Sequence, residues 1–554
     1  MLDMYLRDVP SKRKHGPDAV YVQLVEGYRD PETSQVKTRI LHSFGRKEDL
    51  DLDQIRRLVD QLVAYLPPEE QPDLAAGFAV TDTWSWGGPH LLDGLWRELE
   101  LDGFFAEALA ERAFETDVER AIFTLLAQRA LAPDSKLAGA RWAGGTAWIP
   151  GLEWGGEELE VQHFYRAMDF LHEAMEELRD HLYFQITDLL NADVSVIFYD
   201  TTSVSFEIDH ADAEEDEDTG PGLRRFGHSK KKRPDLPQVI VAVAINRDGL
   251  PVRHWVFPGN TVDVSTVERV TEDLAGLRPR RFLFVGDRGM VSEDNIDFLE
   301  SRQRKYLLGC TLRDDDVVEH DVLSLRGRYK AVTEELGVKE TVIEDGDRPI
   351  RYLLCRDTDR AGEDAQVREE ILARLEAELE GSRTATTHTR KACDLLSTSG
   401  YARYLRELES GGLRIDRAAV RRDERVEGKY VLMTNDLDTP ATELVAGYRD
   451  MWRVERAFRS MKTALAIEPV YHRKPARIIS HAHLCVLAYL LIRLAENRTT
   501  EGWKLLREQL DRISLSRIEM GRTVVYRTKR LTRPERNLWK SCHLAPPPET
   551  LRIQ

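Results

Sequence analysis

The spacing of apolar residues changes character along the chain. Residues 19–46 alternate apolar and polar positions on either side of a Pro/Asp turn, which predicts a small two-stranded hairpin. From about 52 to 190 apolar residues recur every three or four positions, as in DVERAIFTLLAQRAL and HFYRAMDFLHEAMEELRDHLYFQITDLL, and predict a run of helices. A Gly/Trp-rich stretch, RWAGGTAWIPGLEWGGEE, interrupts that run. At 193 the pattern turns to β-branched runs. DVSVIFYD (193–200), LPQVIVAVAIN (236–246) and GLPVRHWVF (249–257) read as three strands, the last two joined by a tight turn at Arg247-Asp248-Gly249. A helix at 264–277, a strand at 281–287, a helix at 292–302 and a strand at 305–311 follow. That order predicts a mixed α/β sheet. Residues 312–427 carry short strands and a charged helix near 363–382 and read as an inserted subdomain. A strand at 429–435, one long helix from about 440 to 465 and an apolar helix at 477–495 complete the pattern.

With 554 residues, 42% hydrophobic and 32% charged, the chain reads as a soluble globular protein of three or four modules. Its longest apolar run, LCVLAYLLI (484–492), is broken by Arg493 and is too short to span a bilayer, so no membrane partner is expected. The N-terminus lacks an apolar secretory region, and five scattered cysteines without a CxxC pair fit a reducing cytoplasm. The net charge of −17 argues against a polyanionic partner until its distribution is considered. The acidic run at 210–220 is followed by LRRFGHSKKKRPD, and residues 517–540 are strongly basic, so local surfaces could still meet phosphates. Lys230, Lys231, Lys232 and Arg233 are read as meeting DNA, against the plainer reading of a solvated loop that balances the acidic run.

Asp200 and Asp287 each end an apolar strand, where ligands collect in open α/β sheets. Glu455 lies in GYRDMWRVERAFRSMKTAL, where helical spacing puts Tyr448, Trp452, Glu455, Arg459 and Lys462 on one stripe. Three carboxylates without a His or Cys partner select hard cations, Mg²⁺ or Mn²⁺. Two such ions roughly 3.5–4 Å apart can activate a nucleophile and stabilise a leaving oxygen. Lys462 and Arg459 would hold phosphates, Tyr448 would stack or hydrogen-bond beside them, and Arg288 would add a phosphate contact. Asn260 and Asp263 either line this site or cap the following helix. His481 and His483, two apart, are read as helix-surface residues rather than metal ligands.

FYDTTSVSFE, GHSKKKRPDLPQV, GLPVRHWVFPGNTVD, FVGDRGMVSEDN and YRDMWRVERAFRSMK with PVYHRKPARIISH, in that order, resemble the DDE transposases of bacterial insertion sequences. The resemblance is to the IS-four-like superfamily, most closely its sixteen-thirty-four-type branch. It covers 193–500 and, more loosely, the N-terminal hairpin. It implies an α/β catalytic core of ribonuclease-H-like fold with a mostly β insertion, preceded by a mainly helical region. The implied organisation is an N-terminal hairpin region at 1–50, a helical candidate DNA-binding region at 51–192, core at 193–311, insertion at 312–427, core again at 428–500, and a basic region at 501–554. The family's two Asp and its Glu match Asp200, Asp287 and Glu455. Its signature Y-(2)-R-(3)-E-(6)-K matches Tyr448, Glu455 and Lys462, but Met451 stands at the Arg position, which Arg459 or, less directly, Arg453 could offset.

The resemblance implies metal-dependent cleavage and transfer of double-stranded DNA at terminal inverted repeats, by a homodimer on DNA in the cytoplasm, associated with the nucleoid. A structure-specific nuclease of the same fold and a non-catalytic DNA-binding derivative are the alternatives. A haloacid-dehalogenase-type phosphatase would need an Asp where Thr202 stands.

Overall fold

The computed structural model describes residues 4–11, 19–29, 36–63, 65, 78–112, 114, 116–152, 159–190, 192–216, 220–276, 282–312, 315–345, 348–380, 390–409, 412–520 and 523–553. Two compact units divide the chain, one of Met1–Thr81, Ile518–Val525 and Ile553–Gln554, the other of Asp82–Arg517 and Tyr526–Arg552.

In the first unit Met4–Ser11, Ala19–Arg29 and Val36–Arg46 form an antiparallel sheet, followed by the helix Leu52–Val63. The alternation at 19–46 predicts two of these strands. The third, MYLRDVPS, is an edge strand with no buried position and so carries no core signal. The Pro/Asp turn lies outside the described residues.

The second unit is built on a nine-stranded sheet. Its order is Lys330–Ala331, Leu336–Asp345, Arg348–Asp357, Lys429–Thr434, Lys305–Gly309, Leu283–Gly286, Val196–Ser205, Gln238–Ile245 and Pro251–Pro258. Strands 196–205, 238–245 and 251–258 run antiparallel in succession, and Gly249, at φ +76°, makes the turn between the last two. Leu283–Gly286 returns parallel to Val196–Ser205, and Lys305–Gly309 parallel to it in turn. Every residue of QVIVAVAI is buried, which explains its unbroken apolar run.

The insertion departs from a mostly β subdomain. Strands 336–345 and 348–357 pair onto Lys429–Thr434 and extend the main sheet. The rest is largely helical, with Thr358–Glu380, Arg390–Ser397 and Arg417–Val426. Leu372, Leu375, Tyr404 and Val420 give that part a small core of its own. The short apolar strands of the hairpin satisfy their backbone groups on the sheet edge, whereas the charged helix has only one stripe to bury.

Helices Gly87–Glu98, Val118–Leu131 and Val161–Glu173 fall where the three-to-four spacing predicts them, whereas the strand Phe78–Ser85 was hidden by the general helical pattern. They surround Pro475–Thr499, a 25-residue helix long and apolar enough to cross a membrane. It extends well beyond the nine-residue apolar run, and the most apolar 18-residue stretch of it is 94% buried inside the fold. Arg493, which breaks that run, is buried too: it donates to Glu496, to Asn497 Oδ1 at 2.7 Å and to the Asp248 carbonyl at 3.1 Å. His481 and His483 are therefore core residues rather than surface ones. His483 Nδ1 lies 3.3 Å from His254 Nε2, and His481 contacts a carbonyl and a lysine.

Candidate active site

Asp200 does not end its strand. Val196–Ser205 continues five residues beyond it, held by antiparallel pairing with Gln238–Ile245. What ends near Asp200 is the parallel neighbour, which pairs Leu283 with Val196 and Val285 with Phe198. Extending that register by two residues sets Asp287 level with Asp200. Asp287 then leaves the sheet and caps a short turn, its Oδ1 accepting from Gly289 N at 2.9 Å. The reading of a β-branched run ending in an acid mistakes the end of one strand for the end of its neighbour.

Asp200 is 19% exposed, and its carboxyl is pushed up to about 7, chiefly by burial, with Asp287 and Asp263 adding repulsion. Lys230 opposes that shift from 3.9 Å. The Lys230 ammonium is nearer Asp263, at 3.1 Å, and donates to the Thr201 carbonyl and hydroxyl at 2.8 Å each. Asp263 accepts from the Thr201 hydroxyl and faces the same point beside Gly289 as Asp287 does. Asp263 thus lines the site, the first of the two roles open to it. The sequence signal was its place just after the strand Pro251–Pro258.

The basic cluster splits. All four are exposed, but Lys230 pairs with Asp263 and Lys231 with Glu468 beside the candidate site, while Arg233 pairs with Asp235 at 2.7 Å. Within the acidic run, Asp212 pairs with Arg224 at 2.5 Å. Glu468 also accepts from Ser205 N at 2.7 Å. Lys462 donates to the Thr202 hydroxyl at 2.6 Å, and burial with repulsion from Lys231 and Lys230 lowers its amine to about 8.

The long helix expected over 440–465 breaks into Ala441–Arg449 and Trp452–Thr463, and the single stripe breaks with it. Asp450 and Met451 bond three residues back, to Gly447 and Tyr448, and Asp450 holds Arg453 at 3.0 Å. The break turns Tyr448 under Tyr430 and toward Gly309, where a Cβ would lie 2.7 Å from the tyrosine hydroxyl. Burial raises the Tyr448 phenol, and Asp287 and Glu455 raise it further. Glu455 and Arg459 are exposed on the second helix. Asp287, Arg288, Tyr448, Met451 and Glu455 line one cleft of about 1020 Å³, which Arg449 also lines and Asp200 does not. Arg449 was missed because the signature directs attention to Met451. Among the described residues no three His, Cys, Asp or Glu side chains stand close enough together to hold a metal ion.

A family model described as the transposase DDE domain matches residues 193–491, more than half of the chain. The chain belongs to the DDE transposases. A second model, the N-terminal domain of IS1634 family transposases, matches 6–72. This transposase is therefore an IS1634-type enzyme of DNA cleavage and strand transfer. No curated protein matches the chain. Among solved structures, a piggyBac transposase synaptic complex with hairpin DNA is similar at 10% identity over 76% of this chain and 79% of that one, with a TM-score of 0.33.

Proposed function

We propose that this transposase cuts and joins the ends of its insertion sequence at a metal site formed by Asp200, Asp287 and Glu455 on a ribonuclease-H-like core. The observation that carries the reading is the parallel register that levels Asp287 with Asp200. Three strands in antiparallel succession, then two parallel ones on the far side of the first, support the core assignment.

The donor chemistry fits a hard divalent cation, although the three carboxylates do not stand close enough together in this structure to hold one. All candidate ligands are carboxylate oxygens, and Asp200 is a buried acid whose nearest cation, Lys230, is shared with Asp263. Asp200 and Asp287 would hold the ion from the sheet and Glu455 from its helix. Bound Mg²⁺ or Mn²⁺, as one ion or two, would activate a water or 3′-hydroxyl and stabilise the leaving oxygen. Lys230 restrains the Asp200 carboxyl toward its charged form, Lys462 donates to Thr202 on the same strand as Asp200, and Tyr448 lines one cleft with Asp287 and Glu455. Arg288 and Arg459, both exposed, offer phosphate contacts, as do Lys232 and Arg233. Lys230 and Lys231 serve the site through their ion pairs with Asp263 and Glu468.

End recognition falls to the N-terminal unit, the helical region and the basic segment 517–540. A homodimer on paired ends, acting at the nucleoid in the cytoplasm, is the simplest assembly for two cuts and one target. The test is cleavage of a duplex carrying the element's terminal repeat, with and without Mg²⁺, followed by assay for joined products. Metal-dependent cutting with strand transfer is expected. Cutting without joining would favour a structure-specific nuclease, and binding without cutting a non-catalytic derivative.

A further inference from the structure

Glu468, which holds Lys231 beside the candidate active site, also lines a separate cavity of about 340 Å³. Two buried cations line this cavity, and neither has a carboxylate counter-ion among the described residues. Lys136, only 7% exposed, begins the ten-residue helix Lys136–Gly145. Its ammonium has one hydrogen-bond partner, His481 Nδ1 at 3.0 Å. His481 Nε2 lies 3.0 Å from the Ile467 carbonyl, which can only accept, so Nε2 carries the proton and Nδ1 accepts from the lysine. The remaining donors of Lys136 are unused. Arg129, 5% exposed, donates to the carbonyls of Leu465, Ala466 and Asp134 at 3.0–3.3 Å.

Among the described residues no carboxylate lies within ion-pair distance of either cation. The two acids lining the cavity are otherwise engaged: Asp134 accepts from Ser135 N, and Glu468 holds Lys231 and Ser205 N. Burial and Arg129 push the Lys136 amine down to about 7. Buried cations persist when something neutralises them, and here the fold supplies nothing. The amides of Lys136 and Leu137, at the start of the helix, also have no intrahelical acceptor. His472 adds a further ring on the same wall.

We propose that this cavity is a phosphate subsite that takes one phosphate ester anion, from a nucleic-acid backbone or from a free nucleotide. Lys136 donates to it directly, Arg129 contributes charge, and the helix start supplies amides. The carboxylate assignment is not needed for this, so failure here leaves that assignment standing.

Full-length protein is titrated calorimetrically with inorganic phosphate, with the dinucleotide TpT and with a single-stranded oligonucleotide, using wild type, Lys136→Met and His472→Gln. Saturable phosphate binding is expected, weakened by about 10-fold or more in Lys136→Met, the scale of one charge-assisted hydrogen bond, and less in His472→Gln. Lys136→Met should keep or raise Tm, because an uncompensated buried charge is removed. Displacement of phosphate by the oligonucleotide identifies a backbone subsite, and binding of phosphate without such displacement identifies a free phosphate. Wild-type protein that binds none of the probes, or Lys136→Met protein that binds them with wild-type affinity, overturns the proposal. Should Lys136→Met fail to fold, unchanged binding by His472→Gln overturns it.

Discussion

The two sides of the candidate site are built differently. Around Asp200 the cations already have partners: Lys230 with Asp263, Lys231 with Glu468, Lys462 with Thr202. Around Glu455 the charged groups face an open cleft, and Glu455, Arg288 and Arg459 are exposed. Burial on the Asp200 side lets electrostatics set protonation states, which is why that carboxyl rises and Lys462 falls. On the open side solvent screens the same charges. The comparison teaches that one side is organised before substrate arrives, whereas the other presents charged groups with no ion-pair partner among the described residues.

The largest expected effect treats both sides alike. Asp200→Asn, Asp287→Asn and Glu455→Gln should each lower cleavage by roughly 10³-fold or more, the loss of several kcal/mol of transition-state stabilisation, while DNA binding persists. An Asp287→Asn protein that cuts normally with Mg²⁺ would end the triad assignment.

Next comes a change that separates the sides. Lys230→Met removes the cation that holds Asp200 toward its charged form, so the Asp200 carboxyl rises further and the pH–rate profile should move to higher pH. Arg459→Ala, on the exposed side, should weaken strand binding by about 10-fold at most and leave the profile where it is. Equal profile shifts from both variants would erase the distinction.

A smaller effect is read in stability. A carboxyl raised in the fold binds its proton more tightly there than in the unfolded chain. Its contribution is therefore complete below the unfolded value of about 4 and is lost as pH climbs through about 7. Without metal, Tm should fall over that window, and Asp200→Asn should flatten the fall. An unchanged slope would place Asp200 in water.

The smallest concerns the cleft. Met451→Arg restores the signature cation beside Arg449 and should tighten strand binding by a few-fold, with cleavage of the bound strand unaltered. A loss of binding would mean that Arg449 already occupies that role.

Much of this was legible from the sequence because it is local. Alternation and three-to-four spacing report backbone conformation, so the strands at 196–205, 238–245 and 251–258 and most helices are readable. The same holds for membership of the DDE transposases, read from a specific ordered motif. Tertiary structure alone decided which groups meet. Lys462 reaches Thr202 across 260 positions, and Lys136 reaches His481 across 345. No periodicity encodes such distances. The break at Asp450–Met451 belongs to the same class: helical spacing favours one continuous helix, and burying Tyr448 against Tyr430 and Gly309 overrides it. Local preference is worth at most about 1 kcal/mol per residue, and burial of an aromatic side chain is worth more. The sequence therefore determined the elements, and packing determined which side chains meet across them.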